Sequence, residues 1–190
     1  MGSLVVVDAC VFFRIRSTDL VMWAYRHYLC IPQWTKKIDE EWISNVVMKN
    51  KTTREKALDR SRCMRDFVMG WEIEDFEDVV LEHPLPDKGD NHVLKAAVKG
   101  ECSWILTFNI KDFPQELLEP LQVSAIHPDD FFVGLALEAE ESFREVIFDS
   151  LANDTPPMSI SQYLGTLESA GLIKLSKCVE SNWNRWMGRP

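Results

Sequence analysis

Four carboxylates in this sequence are spaced so that they could share a divalent cation: Asp8, Glu41, Asp90 and Asp112. Asp8 follows directly on the β-branched run Leu4-Val5-Val6-Val7. In open α/β sheets, ligand sites lie just beyond the carboxyl ends of the strands. Asp112 lies in the loop after a second short apolar run, Trp104 to Phe108. Asp90 stands where the loop Pro84 to Gly89 gives way to a helical pattern, and Glu41 lies in a helix after the first crossover. Like charges a few ångströms apart cannot all ionise freely. A hard cation such as Mg²⁺ or Mn²⁺ cancels the repulsion and prefers oxygen ligands. Held this way, it can activate a water and stabilise the leaving oxygen of a phosphodiester. Taken singly, each acid has a plainer reading. Asp8 is a turn or capping residue, Asp90 an N-cap, Asp112 an Asx turn and Glu41 a surface helix residue. Their combination with the strand order points to a shared pocket.

The elements that must position these acids read as follows. Leu4 to Val7 is a strand buried on both faces. Residues 19–30 show helical spacing through Leu20, Trp23, Ala24 and Leu29. Pro32 to Thr35 is a break, with Thr35 placed to cap a helix that carries Ile38, Glu41, Trp42 and Asn45. A basic amphipathic stretch runs on to about Met69. Val79 to Leu81 reads as a second strand, Asn91 to Lys99 as a helix, Trp104 to Phe108 as a third strand and Val123 to Ile126 as a fourth. This order predicts a three-layer α/β/α domain with a mostly parallel central sheet. From Asp129 on the pattern is helical, interrupted at Thr155-Pro156-Pro157. Ser159 to Gln162 has the form of a capping box, and Gly171 stops the helix Ser161 to Ala170. The expected organisation is a domain over residues 1–134 and a helical C-terminal extension over 135–190.

Composition narrows the function classes. A chain of 190 residues, 46% hydrophobic and 27% charged, fits one globular domain with a small extension and excludes a disordered chain. Its longest apolar runs fall far short of the ~20 residues that span a bilayer, and the first is not a signal peptide. Five scattered cysteines without a CxxC pair argue against a zinc knuckle and for a reducing compartment, the cytoplasm. The net charge of −9 disfavours generic nucleic-acid binding, but it is unevenly placed. Residues 1–70 hold 12 Lys/Arg against 8 Asp/Glu, whereas residues 71–170 hold 5 against 21. The segment Lys49 to Arg65 carries seven basic residues: Lys49, Lys51, Arg54, Lys56, Arg60, Arg62 and Arg65. It reads either as a solvated helix face or as a patch that tracks phosphates.

Four blocks resemble the motifs of PIN-domain nucleases. Val5-Val-Val-Asp8-Ala-Cys-Val11 looks like their first motif, and Gln33 to Trp42, with Glu41, like the second. Pro86-Asp-Lys-Gly-Asp90-Asn-His-Val-Leu-Lys-Ala-Ala97 looks like the third. Ile105-Leu-Thr107-Phe-Asn109-Ile-Lys-Asp112-Phe-Pro114 is similar to the fourth motif of VapC-type toxins. His127 to Phe131, Pro156-Pro157, Tyr163-Leu164 and Gly171-Leu172 extend the likeness to a subgroup with a helical C-terminal extension. The resemblance implies that Asp8, Glu41, Asp90 and Asp112 bind Mg²⁺ or Mn²⁺, with Thr107 and Asn109 as polar supports. Glu40 stands as an alternative to Glu41. In many relatives an acid sits where Asn109 does, which leaves a second metal open. The implied activity is metal-dependent endoribonuclease, as the toxin of a type II toxin–antitoxin pair. RNA is then the substrate, met by Lys49, Lys51, Arg54 and Arg62. A cognate antitoxin blocks the pocket, homodimers are common, and no membrane is involved.

Two other classes stay open at this point: a catalytically weak PIN-like binding or regulatory module, and a nuclease of structured DNA. His92, close to Asp90, reads as a structural or supporting residue rather than a general base. Trp34 and Trp42 read as core, with base stacking as the alternative, and Trp183 and Trp186 as packing for the tail. No P-loop, GxGxxG or G-x-S-x-G is present.

Overall fold

A computed structural model of the chain describes residues 2–188. Four parallel strands form one sheet in the order β2-β1-β3-β4: β1 (Ser3–Val7), β2 (Cys30–Gln33), β3 (Trp104–Leu106) and β4 (Ser124–Ile126). Val5, Val6 and Val7 of the central β1 are fully buried, as a strand covered by helices on both faces requires. The short α1 (Ala9–Phe12) leads into α2 (Ile15–Arg26), which packs on β2. Next come α3 (Lys36–Met48) and α4 (Arg54–Phe67), which pack on each other. α5 (Asn91–Lys99) packs on β1 and β3. The architecture is the expected α/β one with a parallel sheet.

The second strand is not where the sequence pattern predicts it. Val79 to Leu81 is irregular, with Val80 88% exposed, and the strand is Cys30–Gln33 instead. Pro32 hid it, because proline reads as a breaker. The strand lies at the sheet edge and pairs only with β1, so a missing N–H is tolerated there. The helix before it ends earlier than its apolar spacing suggests, at Arg26.

Thr35 caps α3 by accepting from the Ile38 N–H at 3.1 Å. Trp34 and Trp42 are core residues, packed on Phe12 with ring centroids 5.1 and 6.5 Å away. Asp39 is fully buried on the inner side of α3. It accepts from Trp42 Nε1 at 2.7 Å, from Ser61 Oγ at 2.9 Å and from Arg65 Nε at 2.6 Å.

After β3 comes the short α6 (Gln115–Leu118), and after β4 come four helices: α7 (Pro128–Glu138), α8 (Glu140–Ala152), α9 (Ile160–Ser169) and α10 (Ile173–Trp186). The Ser159/Gln162 capping box is formed, and Gly171 sits in the left-handed region at φ 81°, where a β-carbon is strained. α8 and α9 dock on α2. Arg16 of α2 holds them there, donating to Thr166 at 2.9 Å, to Ser150 at 3.2 Å and to both oxygens of Asp154 at 2.9 Å. Trp183 packs edge-on against Phe148, and Trp186 donates to Glu140 at 2.8 Å, so both tail tryptophans pack as expected.

Candidate functional site

Asp8 is the first residue past β1 and is 6% exposed. It sits at the N-cap of α1, yet its side chain makes no cap hydrogen bond. Oδ2 instead accepts from Thr107 Oγ1 at 2.7 Å and from Cys10 Sγ at 2.9 Å. Oδ1 has no partner among the described residues. Thr107, fully buried, follows β3, and its hydroxyl is itself fixed by the Asn109 backbone N–H at 3.0 Å. Burial and the neighbouring Asp8 carboxylate push the Cys10 thiol up to about 12, so it stays protonated and donates.

The β1 and β3 ends share a pocket of about 380 Å³ with α3 and α5. Asp8, Glu41, Asp90 and Asn109 line it, with Arg14 and Lys49 among the remaining walls. Glu41, Asn45 and Lys49 stand four residues apart, on one stripe at the end of α3. Glu40 is exposed and does not line this pocket; it lines a neighbouring surface depression with Lys37 and Ser44, to which Glu41 and Asn45 also contribute. The geometry thus separates the two adjacent glutamates. His92 of α5, 5% exposed, sits with Nε2 2.8 Å from Glu41 Oε1. It braces a carboxylate, in line with the supporting reading.

Asp90 occupies the N-cap position of α5 without capping it. Its carboxyl is pushed up to about 6, first by burial and then by the charges of Asp8, Asp87 and Asp112. Asp112, half-buried at the end of the turn Ile110–Asp112, does not line the pocket wall. Asp87 is a loop residue that accepts from the Gly89 N–H at 2.7 Å.

Asp8, Asp90 and Asp112 form no ion pair among the described residues, and Glu41 meets only His92. No three His, Cys, Asp or Glu side chains among the described residues are drawn into a ready-made ligating cluster. The donor set nevertheless fits a hard divalent ion. All four acids offer oxygen, Asp8 keeps one oxygen free, and Asp90 is held in an environment that resists its charge.

The basic stretch divides on inspection. Lys49 reaches the pocket, its Nζ 4.8 Å above the Phe13 ring. Lys51 and Arg54 are exposed away from it, and Arg62 pairs with Asp59 at 2.6 Å on the surface. Arg60 donates to the Phe12 carbonyl at 2.7 Å, and Arg65 is taken by Asp39, so both serve the core. Sequence reasoning missed Arg14 and Cys10. Cys10 lies inside the first motif, two residues from Asp8. Arg14 had no signal, because what positions it comes from remote segments.

These are the features of a chain whose comparisons agree. A family model described as PIN domain matches residues 4–111, more than half of the sequence. A Mycobacterium tuberculosis (strain ATCC 25618 / H37Rv) protein named "Putative ribonuclease VapC50" is 39% identical over 79 residues. That match covers 41% of this chain and 47% of the relative, so the chain spans about half the length of the curated protein it resembles. No solved structure matches significantly. With the parallel sheet and the acids at its carboxyl end, the match over residues 4–111 shows that the chain belongs to the PIN-domain family.

Proposed function

We propose that this chain is a Mg²⁺- or Mn²⁺-dependent endoribonuclease and the toxin of a type II toxin–antitoxin pair. The observation that carries the reading is the pocket that Asp8, Glu41 and Asp90 line together, with no Lys or Arg among the described residues ion-paired to any of them. Asp8, Glu41 and Asp90 would hold the cation, with Asp112 completing the set from the turn beyond β3. When bound, the cation supplies activation of a water and charge neutralisation at the departing 3′-oxygen, leaving 5′-phosphate and 3′-hydroxyl ends.

The chain's own residues supply the rest. Thr107 and Cys10 hold Asp8 in one orientation and leave its second oxygen facing the pocket. His92 keeps Glu41 from swinging out to solvent beside Glu40. Asn109 fixes Thr107 through its backbone and closes one wall. Lys49 meets the RNA backbone at the pocket mouth, while Lys51, Arg54 and Arg62 guide the strand further out. We take residues 1–134 as the nuclease unit and 135–190 as its extension.

The reading also implies a cognate antitoxin that blocks the acidic pocket with a basic side chain, homodimerisation, and action on RNA in the cytoplasm. Among the described residues no helix is long and apolar enough to cross a membrane. The test is incubation of the purified chain, freed of any antitoxin, with single-stranded RNA or branched DNA in Mg²⁺, Mn²⁺ or EDTA, followed by end mapping. Cation-dependent RNA cleavage with 5′-phosphate ends is expected. Cation binding without cutting would favour a binding module, and preference for branched DNA would overturn the substrate assignment.

A further inference from the structure

Arg14 is a half-buried cation whose surroundings are made by three distant segments. Its guanidinium carbon lies 3.5 Å above the ring centroid of Phe108, in the loop after β3. The other side of the arrangement is also fixed, since Phe108 packs edge-on against His127, with centroids 4.8 Å apart, at the end of β4. Nη1 of Arg14 donates to the Ala170 carbonyl at 3.3 Å, at the end of α9. Gly171 comes so close that a β-carbon there would stand 3.3 Å from Arg14 Nη1 and 3.4 Å from Phe108.

A guanidinium partly withdrawn from water is often paired with a carboxylate. Arg14 has none among the described residues, and it lines the acidic pocket without pairing to Asp8, Glu41 or Asp90. Burial pushes its pKa down, and no ion pair among the described residues offsets that cost. A planar fork stacked on an aromatic ring, with N–H groups left over, is the form in which arginine binds phosphate. Lys49, at the end of the helix after the edge strand β2, lines the same pocket, whereas Arg14 leans on residues after β3 and β4. Both cations sit on adjacent residues' surroundings, Lys49 over Phe13 and Arg14 beside it in sequence. A nucleic-acid backbone entering the pocket would meet two cations, Arg14 and Lys49, along with the carboxylates.

We propose that Arg14 is a phosphate-binding residue at the rim of the acidic pocket, propped on Phe108 by the Ala170 carbonyl, and that the C-terminal helices thereby form part of the RNA subsite. The assignment rests on the nuclease reading above. It gives the extension a role at the site, through residues that lie outside the matched PIN-domain segment 4–111.

The experiment is equilibrium binding of a fluorescent single-stranded oligoribonucleotide to the full chain in EDTA, where no cleavage occurs, over a range of salt. Wild type, Arg14→Lys, Arg14→Ala and Gly171→Ala are compared, each with its melting temperature. Arg14→Ala is expected to bind roughly tenfold more weakly and to lower the slope of log affinity against log salt by about 0.7, one phosphate contact's worth on a single strand. Arg14→Lys keeps the slope and loses part of the affinity, because charge remains without the stacked fork. Gly171→Ala, which crowds Arg14 without removing charge, weakens binding while the slope stays. An unchanged slope and affinity in folded Arg14→Ala overturns the proposal even if wild type binds and cuts RNA. Absence of RNA binding and cutting by wild type itself would instead overturn the nuclease reading.

Discussion

Thr107 Oγ1 donates to Asp8 Oδ2 at 2.7 Å, joining the ends of β3 and β1 across 99 residues of sequence. The bond sits under the pocket, fully shielded on the threonine side. It fixes which Asp8 oxygen is occupied and which is free to meet a cation.

Removing that hydroxyl while keeping the side chain's shape is therefore informative. Thr107→Val should reduce Mn²⁺ affinity and RNA cleavage by about 10- to 100-fold, the size of losses when a metal ligand's support is removed. Thr107→Ser should stay near wild type. Calorimetric Mn²⁺ titration checks this, and full affinity in the valine variant would show that Asp8 needs no such support.

Asp90 sets a pH dependence of stability. Its carboxyl titrates at about 6 in the fold against an ordinary 3.8, so the folded state holds this proton more tightly than the unfolded chain. Its contribution favours folding at low pH and is lost as pH rises from about 4 to about 6. The metal-free protein's melting temperature should carry this decline, and Asp90→Asn should remove it and melt higher at pH 7. Thermal unfolding in EDTA from pH 4 to 8 decides it; superimposable profiles for the two proteins would contradict the placement of Asp90 among like charges.

The two adjacent glutamates should behave differently. Glu41→Gln is expected to cut RNA about 100-fold or more slowly, since it faces the pocket and exceeds a supporting residue in effect. Glu40→Gln, an exposed substitution, should stay within about twofold. Equal losses in both would mean that the register of α3 differs from the one described.

Asp39 is an acid of another kind. Asp39→Ala leaves Arg65, Trp42 and Ser61 without their acceptor in a buried place, and should cost about 3 kcal/mol of stability. Urea unfolding measures this. A variant as stable as wild type would show that the network is not what fastens α3 to α4.

Much of the fold was legible because its signals are local. The Val5–Val7 run, the Thr35 cap, the Ser159/Gln162 box and Gly171 each act over a few residues, and each is found where the pattern puts it. The edge strand Cys30–Gln33 was not legible, because its pairing with β1 compensates locally for Pro32, and no short window contains β1. At the site, the chain positions of Asp8, Asp90 and Glu41 could be read, but not that His92 would brace Glu41. The basic stretch misled by composition: Arg60 and Arg65 are spent on Phe12 and Asp39, while Arg14, outside that stretch, lies in the pocket wall. Its placement depends on Phe108 and Ala170, the latter 156 residues away.

The central claim is that the pocket around Asp8 holds a cation and cuts RNA. The most direct test incubates a mixed single-stranded RNA pool with Mn²⁺ and compares wild type with Asp8→Asn, both shown to be folded and free of antitoxin. The account predicts Mn²⁺-dependent cutting by wild type that disappears in the variant. Undiminished cutting by Asp8→Asn, or none by wild type, would contradict it.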